Sequence, residues 1–126
     1  MADVLLIEPD IILALAYRRA LERAGWQVRV AASAQAALDC ADACRPDVVV
    51  LELQLAGHNG VEFLYEFRSY AEWLDVPVIV HTLTPPTAFA QQETLRNQLG
   101  VVAYHYKPNT KIVQLIATVR EQLAAA

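Results

Sequence analysis

Four polar side chains directly follow or end apolar runs of this chain, in places where they could meet and balance their charges. They are Glu8, Glu52, Thr82 and Lys107. If the runs are parallel strands, their carboxyl ends meet at one edge of a sheet, and the four side chains share a cleft. Each of them alone is more often a solvated group. A half-buried lysine, however, needs a permanent counter-charge, and Glu52 is the obvious partner of Lys107.

Five apolar runs that alternate with helical patterns would position these side chains. The predicted strands are residues 4–7, 27–30, 48–51, 76–80 and 101–106. The predicted helices are residues 11–24, 34–44, 60–74 and 87–99, with a last helix that Asn109 would cap. Nearly continuous apolar strands joined by helices are typical of a parallel sheet covered on both faces. Right-handed crossovers make this a doubly wound α/β sheet in one domain, residues 1–126, and we expect no output domain.

The spacing of apolar residues predicts which helical side chains are buried. Phe89 and Leu95 would anchor the fourth helix, which has the weakest pattern. Cys40 and Cys44 lie four residues apart, a spacing that suits a disulfide poorly, so we interpret them as small buried residues on the core side of the second helix. The last helix would bury a stripe of five apolar residues, namely Ile112, Val113, Ile116, Val119 and Leu123.

The composition excludes several classes of function. The 126 residues are 56% hydrophobic, which is too apolar for a disordered chain, and the formal net charge is −4. No cluster of Lys and Arg is present, so we expect no binding of nucleic acid. We find no signal peptide and no apolar run of the roughly 18 residues that a membrane helix needs, and we expect a cytoplasmic protein. The histidines match no metal signature and are interpreted as surface or edge residues, namely His58, His81 and His105.

These motifs resemble the receiver domain of two-component response regulators, the CheY-like family. That family has an acidic pair after the first strand, an Asp after the third, a Thr or Ser after the fourth and Lys-Pro after the fifth. Here Glu8, Thr82 and Lys107 stand at matching places, and the loop 53–60 has a similar length. Tyr104 stands where receivers often keep a switching aromatic. The resemblance covers the whole chain and implies a flavodoxin-like (βα)5 fold with strand order 2-1-3-4-5.

The sequence departs from this family where the family's chemistry lies. In receivers the Asp after the third strand takes a phosphoryl group from a kinase histidine, and Mg²⁺ held by that Asp and the acidic pair neutralises the charge. Here Glu52 replaces the Asp, and its extra methylene moves the carboxylate roughly 1.5 Å outward. Pro9 replaces the second acid and brings no side-chain oxygen, while Asp10 comes one position late and would join the acidic pocket or cap the first helix. The degenerate metal site of Glu8, Pro9, Glu52 and the backbone of Gln54 is expected to bind Mg²⁺ weakly or not at all.

We interpret the chain as a stand-alone, non-enzymatic pseudo-receiver in a two-component signalling pathway, without standard aspartyl phosphorylation. Thr82, Tyr104 and Lys107 hold the positions that read a phosphoryl group in the family. Glu52 either mimics the active state or only neutralises Lys107. One alternative is a phosphorelay receiver that still switches, with weak Mg²⁺ binding. Another is a small flavodoxin-like ligand-binding module or enzyme, which would need a glycine-rich phosphate loop after the first strand that this sequence lacks.

The resemblance also implies a surface for partners. In receivers the face made by the fourth helix, fifth strand and fifth helix usually meets partner proteins. Here that face would display Gln92, Arg96, Tyr106 and Lys111. We therefore expect a protein partner there, such as a histidine kinase, another signalling protein or a second copy of this chain.

Overall fold

The computed structural model describes residues 1–88 and 92–125, which form a parallel sheet between two layers of helices. The strands are β1 (Asp3–Ile7), β2 (Gln27–Ala31), β3 (Val48–Leu51), β4 (Val78–Thr82) and β5 (Val101–Tyr106). They lie in the order β2-β1-β3-β4-β5, and all of the pairings are parallel. The prediction of a doubly wound, five-stranded α/β sheet is confirmed.

The helices of the described residues pack on both faces of the sheet. They are α1 (Ile11–Arg23), α2 (Ala34–Ala43), α3 (Gly60–Phe67), α4 (Gln92–Asn97) and α5 (Ile112–Ala125). On one face, Leu21 of α1 and Leu115 of α5 share a buried cluster. On the other face, α2, α3 and α4 contribute Leu38, Phe63 and Leu95 to a second cluster. Because both faces are covered, a central strand such as β3 is apolar at every position. Within the described residues, no helix is both long enough and apolar enough to span a membrane.

Side-chain caps fix the beginnings of two helices that start near the carboxyl edge of the sheet. The carboxylate of Asp10 accepts hydrogen bonds from the backbone N–H groups of Ile12 and Leu13 at 2.9 and 3.0 Å. Asn59 caps α3 in the same way, accepting from the N–H of Glu62 at 2.8 Å. These bonds satisfy donors that a helix terminus otherwise leaves unpaired. The loops after β1 and β3 are therefore held in defined positions beside the cleft.

Helix α3 is shorter than the sequence pattern predicts, because it ends at Phe67 and not at Leu74. The next residue, Arg68, turns its guanidinium inward and donates to the backbone carbonyl of Trp73 at 2.6 Å. A short 3₁₀ turn over Ala71–Trp73 follows. Trp73 still packs on Phe67, with ring centroids 5.0 Å apart. The turn keeps the ring of Trp73 on the buried side. For this reason the helix-like spacing of apolar residues continues in the sequence beyond the end of α3.

Two glycines allow close approaches of the backbone. A Cβ on Gly60 would stand 2.8 Å from the Cα of Leu53, so α3 could not begin so close to the start of the preceding loop with a larger residue. Gly100 has a φ of +65°, and its backbone lies beside the guanidinium of Arg68. Gly60 therefore needs glycine for space, and Gly100 needs it for its backbone conformation.

The fourth helix also differs from its prediction. Pro86–Ala88 form a 3₁₀ turn where helix was predicted from residue 87, and α4 ends at Asn97 and not at residue 99. Pro85 precedes this turn and Pro86 begins it, and neither has a backbone N–H to donate. Leu95 is buried as predicted, at 3% exposed. Phe89, the other predicted anchor, lies outside the described residues.

The last helix begins later than predicted, and its buried stripe is shifted. Asn109 does not cap α5, because it lies in a 3₁₀ turn over Lys107–Asn109. Leu115, which the predicted stripe omitted, is fully buried, whereas Val113 is 68% exposed. Of the other four predicted positions, Val119 is buried and Ile112 is exposed. Ile116 and Leu123 are partly buried.

The prediction of two buried cysteines on the core side of α2 is wrong for Cys44, which is exposed because α2 ends one residue before it. Cys40 is half-buried and packs against the core, as the predicted face requires. Their backbone carbonyls also serve the fold. The guanidinium of Arg29 donates to the carbonyl of Cys40 and, at 2.7 Å, to that of Cys44. The same guanidinium forms an ion pair with Asp3 at 3.0 Å. Arg29 thereby ties the end of α2 to the edge strand β2 and to its neighbour β1.

Candidate functional site

The four polar side chains of the predicted cleft lie together at the carboxyl edge of the sheet. Glu8 follows β1, Glu52 follows β3, Thr82 ends β4 and Lys107 follows β5. All four residues are buried. The strands that carry them are consecutive in the sheet order, so their ends lie side by side. The arrangement is therefore a product of topology, since the residues are far apart in the chain.

The ammonium of Lys107 is held between two carboxylates. Its Nζ donates to Oε1 of Glu8 at 2.5 Å and to Oε1 of Glu52 at 2.7 Å. The exposed fraction is 5% for the lysine side chain and 3% for each carboxylate side chain. The ring centroid of Tyr17, on α1, lies 6.0 Å from the same Nζ. A buried cation at this depth requires such partners, because removal from water strongly disfavours an unpaired charge.

Both oxygens of Glu52 are engaged by donors from the surrounding loops. Oε1 accepts from the backbone N–H of Leu83 at 3.1 Å in addition to Lys107. Oε2 accepts from the backbone N–H of Gln54 at 3.0 Å and from the hydroxyl of Thr82. The carboxylate therefore bridges the end of β3, the end of β4 and the lysine after β5. Its position is fixed by four hydrogen bonds.

The acidic pair that the resemblance calls for is reduced to one carboxylate. Oε1 of Glu8 binds Lys107, and Oε2 accepts from the backbone N–H of Asp10 at 3.1 Å. Pro9 contributes no side-chain oxygen. The Asp10 carboxylate is exposed and accepts from the first N–H groups of α1, so of its two predicted roles the structure gives it the helix cap.

The ion pairs hold both charged partners in their ionised forms. Burial raises the pKa of Glu52, but hydrogen bonds from Lys107, Thr82 and the N–H of Gln54 lower it by more, so the net pKa lies below the ordinary value. Burial lowers the pKa of Lys107, but the hydrogen bonds and charges of Glu52 and Glu8 raise it by more, so the net pKa lies above the ordinary value. Around neutral pH the lysine is therefore an ammonium and Glu52 is a carboxylate.

Tyr104 is linked to the cleft through Thr84. Its hydroxyl donates to the backbone carbonyl of Thr84 at 2.7 Å. The N–H of Thr84 donates to the hydroxyl oxygen of Thr82 at 3.1 Å, and the Thr84 hydroxyl accepts from the side-chain amide of Gln54 at 3.1 Å. Burial and the charge of Glu52 raise the pKa of Tyr104 to about 12, so its hydroxyl stays protonated. The loops after β3 and β4 are thus joined to each other and to β5.

Sequence reasoning missed a pair of contacting histidines, one buried and one half-buried, at the neighbouring ends of β4 and β5. His81 is only 2% exposed, and its Nδ1 lies 3.3 Å from Nδ1 of His105. Nε2 of His105 lies 3.0 Å from Oγ1 of Thr118 on α5, which itself donates to the carbonyl of Gln114. The hydroxyl must therefore accept from His105, which leaves Nδ1 of neutral His105 to accept from His81. The position of His81 within a strand buried on both faces was the available signal.

The histidine pair is kept neutral by its surroundings. Burial, with a smaller effect of the nearby His105 and Lys107, lowers the pKa of His81 to about 4, although the charge of Glu52 opposes this shift. Burial also lowers the pKa of His105. Protonation of His105 at Nδ1 would place two N–H donors against each other. The contacts that join β4, β5 and α5 therefore require a neutral His105.

The donor set at this edge suits an ammonium better than Mg²⁺. Mg²⁺ needs near-octahedral oxygen ligands, whereas each carboxylate oxygen of Glu8 and Glu52 already accepts an N–H or O–H group. Lys107 stands between the carboxylates, and Pro9 adds no ligand. Across residues 1–88 and 92–125, no group of three or more His, Cys, Asp and Glu side chains could hold a metal ion.

The geometry and the sequence agree with a known family of signalling domains. The model of the response regulator receiver domain matches residues 4–120. The chain belongs to this family. Receiver domains are non-enzymatic modules of two-component signalling that interact with histidine kinases and other proteins. The resemblance that the sequence motifs suggested is confirmed, and the receiver fold accounts for the convergence of strand ends at the cleft.

Sequence relatives of this receiver include stand-alone and longer response regulators. It is 29% identical over 127 residues to the polar-differentiation response regulator DivK of Brucella anthropi, covering 98% of each chain. It is 36% identical over 80 residues to the KDP operon transcriptional regulatory protein KdpE of Escherichia coli, covering 64% of this chain and 34% of that protein. It is 33% identical over 119 residues to the transcriptional regulatory protein KdpE of Mycobacterium tuberculosis, covering 50% of that protein. The receiver thus spans a third to a half of these two transcriptional regulators.

Solved structures share the fold across the whole chain. The Vibrio cholerae chemotaxis protein CheY4 is 27% identical with a TM-score of 0.84, and the match covers 98% of this receiver and 99% of that chain. A sensor protein from Polaromonas is 19% identical with a TM-score of 0.88, covering 98% and 97% of the two chains. At that identity the second likeness describes the fold alone.

Proposed function

We propose that this receiver signals through protein contacts without standard aspartyl phosphorylation. The observation that carries the proposal is the ammonium of Lys107 held between Glu8 and Glu52. In this arrangement the protein's own cation neutralises the carboxylates that would otherwise attract Mg²⁺. Glu52 is fixed by hydrogen bonds on both oxygens, so it is poorly placed to act as a nucleophile.

Two independent losses reduce phosphoryl transfer. A glutamate at the acceptor position places its carboxylate roughly 1.5 Å from where an aspartate would place it, and a displacement of about 1 Å can reduce a positioned reaction on the order of a hundredfold. The second loss is the Mg²⁺ ion. Pro9 brings no oxygen ligand, and the ammonium of Lys107 already lies between the carboxylates of Glu8 and Glu52. A phosphoryl group arriving here would lack both a nucleophile in reach and a divalent counter-charge.

We also propose that Mg²⁺ binding at this cleft is weak or absent. Titration of the native receiver with MgCl₂ at physiological ionic strength, followed by NMR shifts at Glu8 and Glu52, should show no saturation below about 10 mM. Double substitution of Pro9→Asp and Glu52→Asp restores the acceptor and the acidic pair, and this variant is the positive control. Saturable, site-specific binding by the native receiver at lower concentration would support the alternative of a receiver that still switches.

The proposed partner surface is the face of α4, β5 and α5. Arg96 and Lys111 are exposed there, and Tyr106 is half-buried. Val102 and Val113 add apolar area, at 41% and 68% exposed. Such a mixture of apolar and cationic side chains suits a protein partner with acidic residues, or a second copy of this chain. Gln92, also predicted for this face, begins α4, but its side chain lies outside the described part of the chain.

A fixed cleft predicts a partner surface that does not respond to a phosphodonor. NMR spectra of the native receiver with Mg²⁺ and acetyl phosphate should leave the signals of Arg96, Tyr106 and Lys111 unchanged. The Pro9→Asp, Glu52→Asp variant tests whether this face can respond at all. Donor-dependent shifts on this face of the native receiver would mean that the proposal is wrong.

A further inference from the structure

A cavity of about 640 Å³ lies between α3, α4 and the loop that follows β3, and the cleft chemistry does not use it. We call it the α3–α4 cavity. Its described lining combines an apolar wall with a polar rim. The wall consists of Leu53, Leu55, Val61, Leu95 and Leu99. The rim includes Gln54, His58, Asn59, Glu62, Tyr65 and Thr84. Pockets for small molecules in proteins have this composition and measure roughly 300–1,000 Å³.

The charges on the rim restrict the class of ligand. Glu62 carries a carboxylate that accepts from the side-chain amide of Asn59 at 3.0 Å and lies 3.4 Å from Nδ1 of His58. Among the described residues that line the cavity there is no Lys or Arg. A phosphate, nucleotide or organic acid would therefore meet a negative charge without a fixed cation to oppose it. The rim instead offers amide and hydroxyl groups to neutral hydrogen-bonding groups.

The cavity borders the ion-paired cleft through two residues. The N–H of Gln54 donates to Oε2 of Glu52 at 3.0 Å, and the Gln54 side chain donates to the hydroxyl of Thr84 at 3.1 Å. The N–H of Thr84 donates to the hydroxyl oxygen of Thr82, and its carbonyl accepts from Tyr104. A bound molecule that accepts a hydrogen bond from the side-chain amide of Gln54 would replace the hydrogen bond that this amide donates to Thr84. Occupation of the cavity would then be transmitted to the loops beside Glu52.

We propose that the α3–α4 cavity binds a small, neutral or weakly basic, amphipathic molecule, which acts as an input to this receiver. The role as an input rests on the proposed function, because a receiver that is not phosphorylated needs another signal to change its loops. Binding itself does not depend on that function. The molecule has an apolar body that contacts the leucines of the wall and a hydroxyl, carbonyl or amine that meets the rim.

Binding is tested with a matched pair of dyes. The neutral dye Nile red should bind the native receiver saturably at one site, with enhanced fluorescence. The anionic dye anilinonaphthalene sulfonate should bind at least about tenfold more weakly, because of Glu62. Equal binding of both dyes, or no saturable binding of Nile red, would overturn the proposal.

Variants locate the site. Val61→Trp places a large side chain in the cavity and should weaken Nile red binding about tenfold or more. Thr94→Trp fills the cavity from α4 and should do the same, which covers the case in which Val61→Trp does not fold. Arg19→Trp, at an exposed position of α1 away from the cavity and the proposed partner face, is the control and should leave the affinity unchanged. Equal affinity of all three variants would show that the dye binds elsewhere. If the native receiver is phosphorylated yet Nile red binding follows this pattern, the proposed function fails while the site stands.

Discussion

At the scale of single residues, Glu52 contacts two of the three side chains that stand at phosphoryl-reading positions of the family, Thr82 and Lys107. It accepts from Thr82 through one oxygen and from Lys107 through the other. A carboxylate offers two oxygens and a single charge, whereas a phosphoryl group offers three oxygens and more charge. The carboxylate of Glu52 therefore permanently accepts the hydrogen bonds from Thr82 and Lys107 that a phosphoryl group would otherwise accept. This is consistent with a cleft that does not cycle between two states.

Removal of Lys107 should destabilise the receiver strongly. In Lys107→Met the buried carboxylates of Glu8 and Glu52 lose their shared cation, and breaking such a pair from one side costs about 3–5 kcal/mol. Urea unfolding measures the change. Lys111→Met, at an exposed lysine, is the control and should change the unfolding free energy by less than about 0.5 kcal/mol. A loss of under about 1 kcal/mol in Lys107→Met would contradict the ion-paired cleft.

Acidification should destabilise the receiver through His81. The folded-state pKa of His81 is about 4, below the ordinary value of 6.5, because of burial first and then of His105 and Lys107. The unfolded chain therefore binds a proton that the folded chain does not, and stability falls as the pH drops from about 6.5 to 4. The full depression corresponds to roughly 3 kcal/mol. Unfolding free energies measured across this range test the prediction.

A matching variant assigns that slope. His81→Gln should reduce the pH dependence between about 6.5 and 4, because it removes a proton that only the unfolded chain binds in this range. Below this range the lowered pKa of Glu52 adds its own loss as the carboxylate becomes protonated. A native receiver with flat stability down to pH 4 would show that the histidine pair is not buried as a neutral unit.

At the scale of elements, Arg68 joins the end of α3 to the turn between α4 and β5. Its guanidinium donates to the carbonyls of Trp73, Leu99 and Gly100 at 2.6, 2.9 and 3.2 Å. Arg68→Met should therefore lower the unfolding free energy by about 2–4 kcal/mol, because half-buried carbonyls lose a charged donor. Arg96→Met, at an exposed arginine of α4, should be nearly neutral. Equal stability of the two variants would show that the Arg68 contacts add nothing.

The sequence predicted most elements, and the errors have local causes. Strands were found to within two residues because a strand buried on both faces is an unbroken apolar run, as Val48–Leu51 shows. Helix ends were less accurate. The helix after β3 stops at Phe67 because Arg68 binds distant carbonyls, and α5 starts after a 3₁₀ turn, so neither boundary could follow from local spacing.

At the scale of the whole molecule, the cleft was predictable and the histidine pair was not. Glu8, Glu52, Thr82 and Lys107 come after or at the ends of strands, so the parallel topology alone brings them to one edge. The bonding of Lys107 to Glu8 as well as Glu52 depends on side-chain geometry. The contact of His81 with His105 depends on the register of β4 with β5, which includes a shift between Val78 and Ile79.

The central claim is that this receiver does not accept a phosphoryl group in the standard way, and intact-mass spectrometry tests it most directly. The native chain and the Pro9→Asp, Glu52→Asp variant are incubated with Mg²⁺ and acetyl phosphate under identical conditions. We expect the native chain to keep its mass, and the variant shows whether the restored pattern takes up a phosphoryl group under the same conditions. A native chain that gains the mass of one phosphoryl group, located at Glu52 or elsewhere in the cleft, would contradict the central claim.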